Sequence, residues 1–323
     1  MPPAVDRIEV LPIQIPLDRG HLRSAILVLH RGSVQGLGEA PALPERGGSL
    51  ADICAELTRG RPRSAAARAA WSSALLDLQA RERGLCVAEL LGGVRRRQVR
   101  CSHLVRAQSP AQVGAEVASA RGAGFETFKL KALDRGGALD QERLAAAREA
   151  GGPGAQLRLD MNQSGPELSP AALARFRLEF IEQPLPATAP LSAWLQMGPG
   201  TGADESLADL DLGRALGAAG VVLAIKLATV GGARPALGLA RVAAGPVLLG
   251  SSLETSVGLA AALQVACALP REPRACGLAT ASLLEVDPGV GLGPPGPLMS
   301  LPDSPGLGVE LDRDALRRYR VEP

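Results

Sequence analysis

The rhythm of apolar and polar positions along the chain changes near residue 98. Before that point, the segments RIEVLPIQIPL, AILVLHRG and VQGLGEA alternate in the manner of strands, with turn-rich stretches between them. The stretch PRSAAARAAWSSALLDLQARERG then repeats apolar residues at three- and four-residue spacing, which predicts an amphipathic helix. Strands followed by a helix predict a small α+β domain over residues 1–95.

From about residue 98, strand-like and helix-like segments alternate. The predicted strands are VRCSHLV, TFKLKA, LRLDMN, FIEQPL, TGADES, VVLAIKLA, PVLLGSS and a weak ACGLA. Helical stretches between them include AQVGAEVASARGAG, PAALARFRLEF and TSVGLAAALQVACAL. Seven or eight such units predict a closed parallel barrel over residues 96–289. An open doubly wound sheet is the competing architecture, but no GxGxxG fingerprint follows the first strand. The tail, residues 290–323, is expected to fold back and complete the first domain.

Composition narrows the classes of function. A formal net charge of +2 gives no electrostatic case for a nucleic-acid partner or a membrane surface. The five cysteines are widely spaced and form no CxxC or Cys/His cluster, so neither a zinc site nor a disulfide framework is predicted. The start has no signal-peptide pattern, and no apolar run is long enough to span a bilayer. We therefore expect a cytoplasmic protein that acts on a small molecule, whereas its oligomeric state is not predicted.

Lysine is rare in this chain. Of the 35 Lys and Arg residues, only Lys129, Lys131 and Lys226 are lysines. A genome that favours Arg depletes Lys generally, but that bias does not explain where these three fall. Unlike Arg, Lys loses its proton near neutral pH when its pKa is depressed. The three positions are therefore candidates for proton transfer or for a charge placed beside it, although a lysine in a strand is most often an edge residue.

Acidic residues recur at one height of the predicted strands. Asp160, Glu182, Asp204 and Lys226 follow one another at intervals of 22 residues, one βα unit per step. Barrel enzymes build their sites at the carboxyl ends of the strands, so these side chains are expected to converge. Three carboxylates in a half-buried site raise one another's pKa unless a cation is present. Oxygen ligands favour Mg²⁺, with Mn²⁺ as the second choice, and such an ion stabilises the dianion formed when a proton leaves a carboxylate substrate.

The remaining candidates surround these carboxylates. A neutral Lys131 amine is a suitable base, and the positive charges of Lys129 and a metal ion are expected to lower its pKa. Asn162 follows Asp160 by two residues and is a candidate substrate contact or supporting group, with an ordinary strand-end amide as the alternative.

The stretch GSSLETSVG follows the seventh strand and opens a helix, whose amides suit an anionic group. The candidate substrate-binding residues there are Ser251, Ser252 and Leu253. Ordinary capping by Ser252 or Thr255 is the alternative for this stretch.

Other structural explanations stay open for single residues. Asp204 with Ser206 suits a helix cap, and Lys226 suits a structural ion pair with Asp204. Gln183, which directly follows Glu182, suits either support for the site or an ordinary strand end. His103 on the first barrel strand is expected to pack or line the barrel without a catalytic role.

The motifs KLK, LRLD, IEQP, ADES and IKLATVGG, in this order, resemble the enolase superfamily in its muconate lactonising branch. The resemblance covers nearly the whole chain. It implies an α/β fold, a modified (β/α)7β TIM-like barrel with an α+β capping domain. It also implies that Asp160, Glu182 and Asp204 bind Mg²⁺, that Lys131 and Lys226 face each other across the site, and that Lys129 supports Lys131.

Within that branch, GSSLETSVGLAAALQVACALPREPRACGLATASLLEVD resembles the o-succinylbenzoate synthase family of menaquinone biosynthesis. This resemblance implies a dehydratase, a carbon–oxygen lyase in which Lys131 removes the proton α to a ring carboxylate and returns it to the departing hydroxyl. The enediolate formed between these steps would be stabilised by Mg²⁺, water would leave in the syn sense, and Lys226 would stay protonated over the ring. Loops at residues 18–24 and 38–49 are expected to contact the substrate.

Other functions compete with the dehydratase. The same site serves an N-acyl amino acid racemase, a dipeptide epimerase or a muconate cycloisomerase. Dipeptide epimerases of this branch usually carry a DxD pattern after the last strands, whereas LLEVDPG offers only Glu285 and Asp287. A Schiff-base aldolase with Lys226 as nucleophile would need no carboxylate trio. A barrel that only binds a ligand is the last alternative, and the retention of three lysines in so Arg-rich a chain argues against it.

Overall fold

The computed structural model describes residues 5–43, 48–131, 133, 139–165, 173–198 and 200–323. Its first part is an antiparallel sheet in the order β1-β2-β3, formed by β1 (Arg7–Pro16), β2 (His21–Arg31) and β3 (Val34–Pro41). Two helices, α1 (Leu50–Thr58) and α2 (Ala65–Glu82), pack on one face of this sheet. The helix α2 lies very close to β3, because a Cβ on Gly36 or Gly38 would fall 2.1 or 2.0 Å from a backbone oxygen of α2.

The middle strand of this sheet is buried on both faces. Leu27 and Leu29 pack with α1 and α2, whereas Ile26 and Val28 belong to the large core that continues into the rest of the protein. This explains why the central run of β2, Ala25 to Leu29, is apolar without the alternation of a half-exposed strand.

The second part is a barrel of parallel strands. In the described part of the chain its sheet has seven strands in chain order, and every neighbouring pair is parallel. A short helix α3 (Val87–Leu90) and strand β4 (Gln98–Arg100) precede it. The strands are β5 (His103–Val105), β6 (Thr127–Lys131), β7 (Gln156–Asp160), β8 (Leu178–Glu182), β9 (Thr201–Ala203), β10 (Val222–Ile225) and β11 (Val247–Leu249).

An eighth segment closes the barrel between β11 and β5. Gly277 forms a parallel bridge with Gly250, and Cys276 forms one with Cys101. The amide of Gly277 donates to the Leu249 carbonyl at 2.8 Å, and the amide of Ser102 donates to the Cys276 carbonyl at 2.9 Å. These residues lie in ACGLA, the weakest of the predicted strands. The prediction of an α/β fold built on a closed parallel barrel is therefore confirmed.

Helices connect the barrel strands on the outside. They are α4 (Pro110–Gly122), α5 (Gln141–Gly151), α6 (Leu191–Met197), α7 (Leu210–Ala218), α8 (Leu227–Val230), α9 (Ala233–Val242) and α10 (Ser256–Ala268). The sequence prediction placed Leu178–Phe180 in a helix, and that was wrong. These residues begin β8, because Phe180 turns into the barrel and packs with Val222 and Leu248. Residues 170–172 of the predicted helix lie outside the described residues.

The tail contacts both parts of the molecule. It contains β12 (Gly289–Val290), β13 (Leu298–Ser300), β14 (Glu310–Leu311) and a final helix α11 (Arg313–Tyr319) that the sequence pattern did not predict. β13 pairs with β4, whereas the amide of Val321 donates to the Pro12 carbonyl in β1 at 3.1 Å. We propose that residues 290–323 complete a capping domain formed by residues 1–95, on a barrel of residues 96–289. None of the helices in the described part of the chain has the length and apolarity needed to cross a membrane.

Candidate active site

A cavity of about 580 Å³ opens at the carboxyl ends of the barrel strands. Nine of the ten predicted site residues line it, namely Lys129, Lys131, Asp160, Asn162, Glu182, Lys226, Ser251, Ser252 and Leu253. The tenth, Asp204, lies behind the wall and is 1% exposed. Of the four residues spaced by 22 positions, Asp160, Glu182 and Lys226 line the cavity, and the roles of all ten residues stay predictions.

Lys129 lies between two of the three predicted metal ligands. Its Nζ atom is 2.9 Å from Asp160 Oδ2 and 2.8 Å from Glu182 Oε1. The strand register produces this contact. Lys131, Asp160 and Glu182 are paired across β6, β7 and β8, and Lys129 lies two residues before Lys131 on the same face of β6. The positive charge of Lys129 is thus paired with two carboxylates. That Lys129 lowers the pKa of Lys131 stays a prediction.

Burial and charge act against each other in this cluster. Burial disfavours the charged form of Lys129, but the carboxylates of Glu182, Asp160 and Asp204 outweigh it and raise the pKa of the amine, so Lys129 is an ammonium. Burial also disfavours an ionised Asp160, yet the charges of Lys129 and Lys226 hold its pKa below the usual value. Burial, reinforced by the two neighbouring aspartates, raises the pKa of Glu182.

Lys226 and Asp204 form the second ion pair of the site. Lys226 Nζ lies 2.5 Å from Asp204 Oδ2, and both side chains are largely buried. Gln183 holds the backbone beside this pair, since its Oε1 accepts from the amide of Asp204 at 2.9 Å and from that of Ser206 at 3.2 Å. Its Nε2 donates to the Ser206 hydroxyl at 2.8 Å. Gln183 therefore supports Asp204, one of the two interpretations that its sequence position left open.

Lys131 occupies a different environment. Its Nζ donates a 2.9 Å hydrogen bond to Asn162 Oδ1, and the Asn162 amide donates to Asp160 Oδ1 at 3.0 Å. Lys131 ends β6 and Lys226 follows β10, four strands away in a barrel of eight. The two lysines therefore approach the cavity from opposite sides, one beside a neutral amide and the other beside a carboxylate.

The cavity wall after β11 consists of Ser251, Ser252 and Leu253. It is bound from behind by Glu254, which the sequence prediction did not include. Glu254 Oε2 accepts from Ser251 Oγ at 2.7 Å and from the Ser252 amide at 2.6 Å. Leu253, between them, has a left-handed backbone with φ of 64°. The available signal was the acid within SSLETS, placed directly before the helix cap Thr255.

The remaining candidates lie at the edge of the site or away from it. His103 Nε2 lies 2.9 Å from Glu116 Oε1 and meets the Phe125 ring edge-on, so it packs as expected. Leu43 is the one described residue of loop 38–49 that lines the cavity, and residues 44–47 lie outside the described residues. Loop 18–24 contributes no lining residue, although Asp18 pairs with Arg106 at 2.6 Å.

The donor chemistry of the site fits a hard divalent cation. The three carboxylates lie beside the amines of Lys129 and Lys226 in a buried setting, and Lys131, Arg158 and Glu205 also line the cavity. Within the described ranges, no group of three His, Cys, Asp or Glu side chains is arranged to hold an ion. Lysine amines lie beside the carboxylates of Asp160, Glu182 and Asp204. Carboxylate oxygens on three adjacent strands nevertheless provide the ligand type that Mg²⁺ prefers.

Comparison with known proteins identifies the family. A family model described as "Enolase C-terminal domain-like" matches residues 112–315. The chain belongs to the enolase superfamily. The protein is therefore an enzyme with a fold of the muconate lactonising type. The fold implied by the KLK, LRLD, IEQP and ADES motifs is confirmed.

Individual relatives span several activities within this superfamily. An o-succinylbenzoate synthase of Thermobifida fusca is 39% identical over 57% of this chain and 60% of its own length. The chain thus spans less than two thirds of that relative. A chloromuconate cycloisomerase of Cupriavidus necator is 28% identical over 95% of this chain and 94% of its own. The structure of a dipeptide epimerase from Methylococcus capsulatus, complexed with a Mg ion, superimposes with a TM-score of 0.83 at 27% identity, covering 95% of this chain and 99% of that one.

Proposed function

We propose that this enolase-superfamily enzyme is an o-succinylbenzoate synthase-like dehydratase that depends on Mg²⁺ and acts in the cytoplasm on a small cyclic carboxylate. The observation that carries the proposal is the contrast between the two facing lysines. Lys131 bonds to the neutral amide of Asn162, whereas Lys226 forms a 2.5 Å ion pair with Asp204. A base needs a free lone pair, so one lysine suits proton abstraction and the other suits a fixed positive charge. The 39% identity to the Thermobifida synthase supports the same choice.

The residues then have distinct tasks. Asp160, Glu182 and Asp204 would hold Mg²⁺, which when bound supplies positive charge that stabilises the developing enediolate. The Lys131 amine takes the proton from the carbon α to the substrate carboxylate. The resulting ammonium gives that proton to the departing hydroxyl, so water leaves and the ring becomes aromatic. Because one base serves both steps, proton and hydroxyl leave from the same face, which is the syn course. Lys226 places its charge at the opposite face of the ring.

Turnover of the succinyl-hydroxycyclohexadiene carboxylate, followed by UV absorbance, tests this proposal. We expect aromatisation with Mg²⁺, its loss with EDTA and its return with added Mg²⁺. Lys131→Arg keeps the charge but removes a proton acceptor, so kcat should fall at least about 1,000-fold. Arg214→Ala, which changes a half-exposed cation on α7, is the matched control and should retain activity. Absence of turnover by the unmutated enzyme with Mg²⁺ would refute the synthase assignment.

A second candidate is supported by the opposed positions of the two lysines. A racemase or epimerase uses two bases on opposite faces of one carbon, and the structural relative from Methylococcus is a dipeptide epimerase. A cycloisomerase is the third activity found among the relatives. Incubation with N-acyl amino acids and dipeptides in deuterium oxide separates racemisation and epimerisation from the dehydratase reaction. Incorporation of α-deuterium without loss of water would favour racemisation or epimerisation.

A further inference from the structure

A bulge interrupts the pairing of β8 with β7. Leu157 pairs with Leu178, whereas the next residue of β7, Arg158, pairs with Phe180. Glu179 is therefore an extra residue in β8. Because the side chains of a strand alternate between its two faces, one extra residue changes the face that every later side chain of β8 occupies.

The bulge decides the direction of Glu182, the second proposed metal ligand. Phe180 and Glu182 point into the barrel, while Ile181 between them packs against the large core shared with the outer helices. Pairing without the extra residue would place Ile181 beside Asp160 and turn Glu182 outward. The bulge therefore brings Glu182 to the face and height of Asp160.

Arg158 binds the bulge from inside the barrel, where it is 1% exposed. Its Nε donates to Glu179 Oε2 at 2.6 Å, and its guanidinium carbon lies 4.9 Å from the centre of the Phe180 ring. Its Nη1 donates to the Ala275 carbonyl at 2.6 Å, in the segment that closes the barrel. One side chain thus contacts the extra residue and the residue after it, and connects both to another part of the barrel wall.

The barrel interior is shaped for the inward position of Phe180. Its ring packs with Val222 and Leu248. A Cβ on Gly202 would lie 2.8 Å from Phe180 Cδ2, so a larger residue in β9 would meet the ring. The absence of a side chain at Gly202 therefore suits the bulged pairing of β8, independently of the contacts of Arg158.

We propose that Arg158 is a positioning residue: its bonds to Glu179 and Ala275 fix the bulge of β8, and the bulge directs Glu182 to the metal site. The inference rests on the proposed function in that Glu182 holds Mg²⁺. Its test measures metal binding and the backbone of β8, both without substrate.

Metal binding by Arg158→Met distinguishes positioning from a plain effect of charge. Arg158 lies two residues before Asp160 on the same face of β7, so removal of its positive charge would by itself tighten the binding of a cation. Displacement of Glu182 has the opposite effect. We therefore expect the Kd of Mn²⁺, followed by electron paramagnetic resonance of the free ion, to rise at least about 10-fold in Arg158→Met.

Arg148→Met is the matched control. Arg148 on α5 also connects the two strands, since it donates to the carbonyls of Ala155 and Phe176, both at 2.8 Å, just before β7 and β8. Among the described residues its hydrogen bonds go to backbone carbonyls and not to the bulge. Its Kd for Mn²⁺ should stay within about 3-fold of that of the unmutated protein.

The double variant Arg158→Met/Glu179→Leu distinguishes positioning from stability. Removal of one partner leaves a buried charge uncompensated, whereas apolar replacement of both partners is often neutral for stability. If Arg158 only stabilises the fold, the double variant should recover Mn²⁺ binding. If Arg158 fixes the bulge, its Kd should stay raised at least about 10-fold. The double variant also decides the matter if Arg158→Met does not fold.

Hydrogen–deuterium exchange of residues 178–183 without metal measures the bulge itself. Exchange there should be at least about 10-fold faster in Arg158→Met and in the double variant, and within about 3-fold of the unmutated rate in Arg148→Met.

Unchanged or tighter Mn²⁺ binding in Arg158→Met would overturn the proposal. Recovery of binding in the double variant, or an equal effect of Arg148→Met, would also overturn it. Lack of Mn²⁺ binding by the unmutated protein would refute the proposed metal site and this inference with it. Lack of turnover by a protein that does bind Mn²⁺ would refute the dehydratase alone.

Discussion

The side chain of Asn162 orients the amine of Lys131, because its Oδ1 accepts a 2.9 Å hydrogen bond from Lys131 Nζ. Asn162 itself has a left-handed backbone conformation with φ of 42°, and its backbone amide donates a hydrogen bond to Asp160 Oδ1. The proposed base and the first proposed metal ligand are thus connected through one residue. A shift of Asp160 would therefore also move Asn162 and the Lys131 amine that bonds to it.

Removal of that connection should impair catalysis more than binding. In Asn162→Ala, Lys131 loses the acceptor that orients it at the end of β6, so we expect kcat to fall 10- to 100-fold with a smaller change in KM. Steady-state kinetics with the cyclohexadiene carboxylate measure both constants. Ser164→Ala is the control, because its exposed hydroxyl lies 3.4 Å from the Asn162 carbonyl and has no other hydrogen bond to a described residue. An unchanged kcat in Asn162→Ala would show that Lys131 needs no such support.

Magnesium should stabilise the folded protein through the three carboxylates. Binding to the native state alone adds about 2.7 kcal/mol at a metal concentration 100 times Kd. We therefore expect Mg²⁺ to raise the midpoint of thermal unfolding of the unmutated protein and to have no such effect on Glu182→Gln. Calorimetry of both proteins with and without Mg²⁺ measures this difference. Asp303→Asn, which alters an exposed acid paired with Arg97, should respond to Mg²⁺ like the unmutated protein.

Glu39 should make the protein less stable as the pH rises. Burial, which is the largest effect, raises its pKa from 4.5 to about 7. A raised carboxyl pKa favours the folded state while the group is protonated, so this stability is fully present below pH 4.5 and is lost as the pH rises through 7. The loss amounts to about 3 kcal/mol for Glu39 alone.

Urea unfolding at pH 5 and pH 8 measures that loss. Glu39→Gln carries no titrating group at this position, so its free energy of unfolding should fall less over the same interval than that of the unmutated protein. Glu126→Gln, at an exposed side chain, should show the unmutated dependence on pH. Equal slopes for Glu39→Gln and the unmutated protein would mean that Glu39 is ionised throughout the range.

Asp77 should hold the tail against the first sheet. Its carboxylate is fully buried and accepts from the amides of Leu37 in β3 at 2.8 Å and of Leu307 in the tail at 2.6 Å. It also pairs with Arg81 at 3.0 Å. Removal of one partner of a buried ion pair costs about 3–5 kcal/mol, so Asp77→Ala should be destabilised by that order and its tail cleaved faster by proteases.

The same variant tests the proposed extent of the capping domain. Molecules of Asp77→Ala that remain folded should retain kcat within about 3-fold, because Asp77 lies away from the cavity. Limited proteolysis with mass spectrometry locates the cleavage, and Asp303→Ala serves as the exposed control. Stability and cleavage equal to those of the unmutated protein would contradict the assignment of residues 290–323 to the capping domain.

The sequence by itself determined the repeating part of this protein. Strand-like segments separated by turns predicted β1 to β3. The 22-residue interval from Asp160 to Lys226 predicted that these side chains share one height, because each βα unit adds one strand to the barrel. The scarcity of lysine indicated a special role for Lys129, Lys131 and Lys226, all of which line the cavity. Local periodicity sufficed for these features since each depends on which face of its own strand a residue occupies.

Only the tertiary structure decided which of these groups touch. Glu39 reaches Thr255 across 216 positions of sequence, and no local pattern reports such a contact. Lys129 pairs with Asp160 and Glu182 because the register of three neighbouring strands brings their interior side chains together. The sequence placed Ser251 and Ser252 side by side as equal candidates. Their hydroxyl contacts differ because the Ser251 hydroxyl donates to the buried Glu254, which depends on side-chain packing and not on the order of residues.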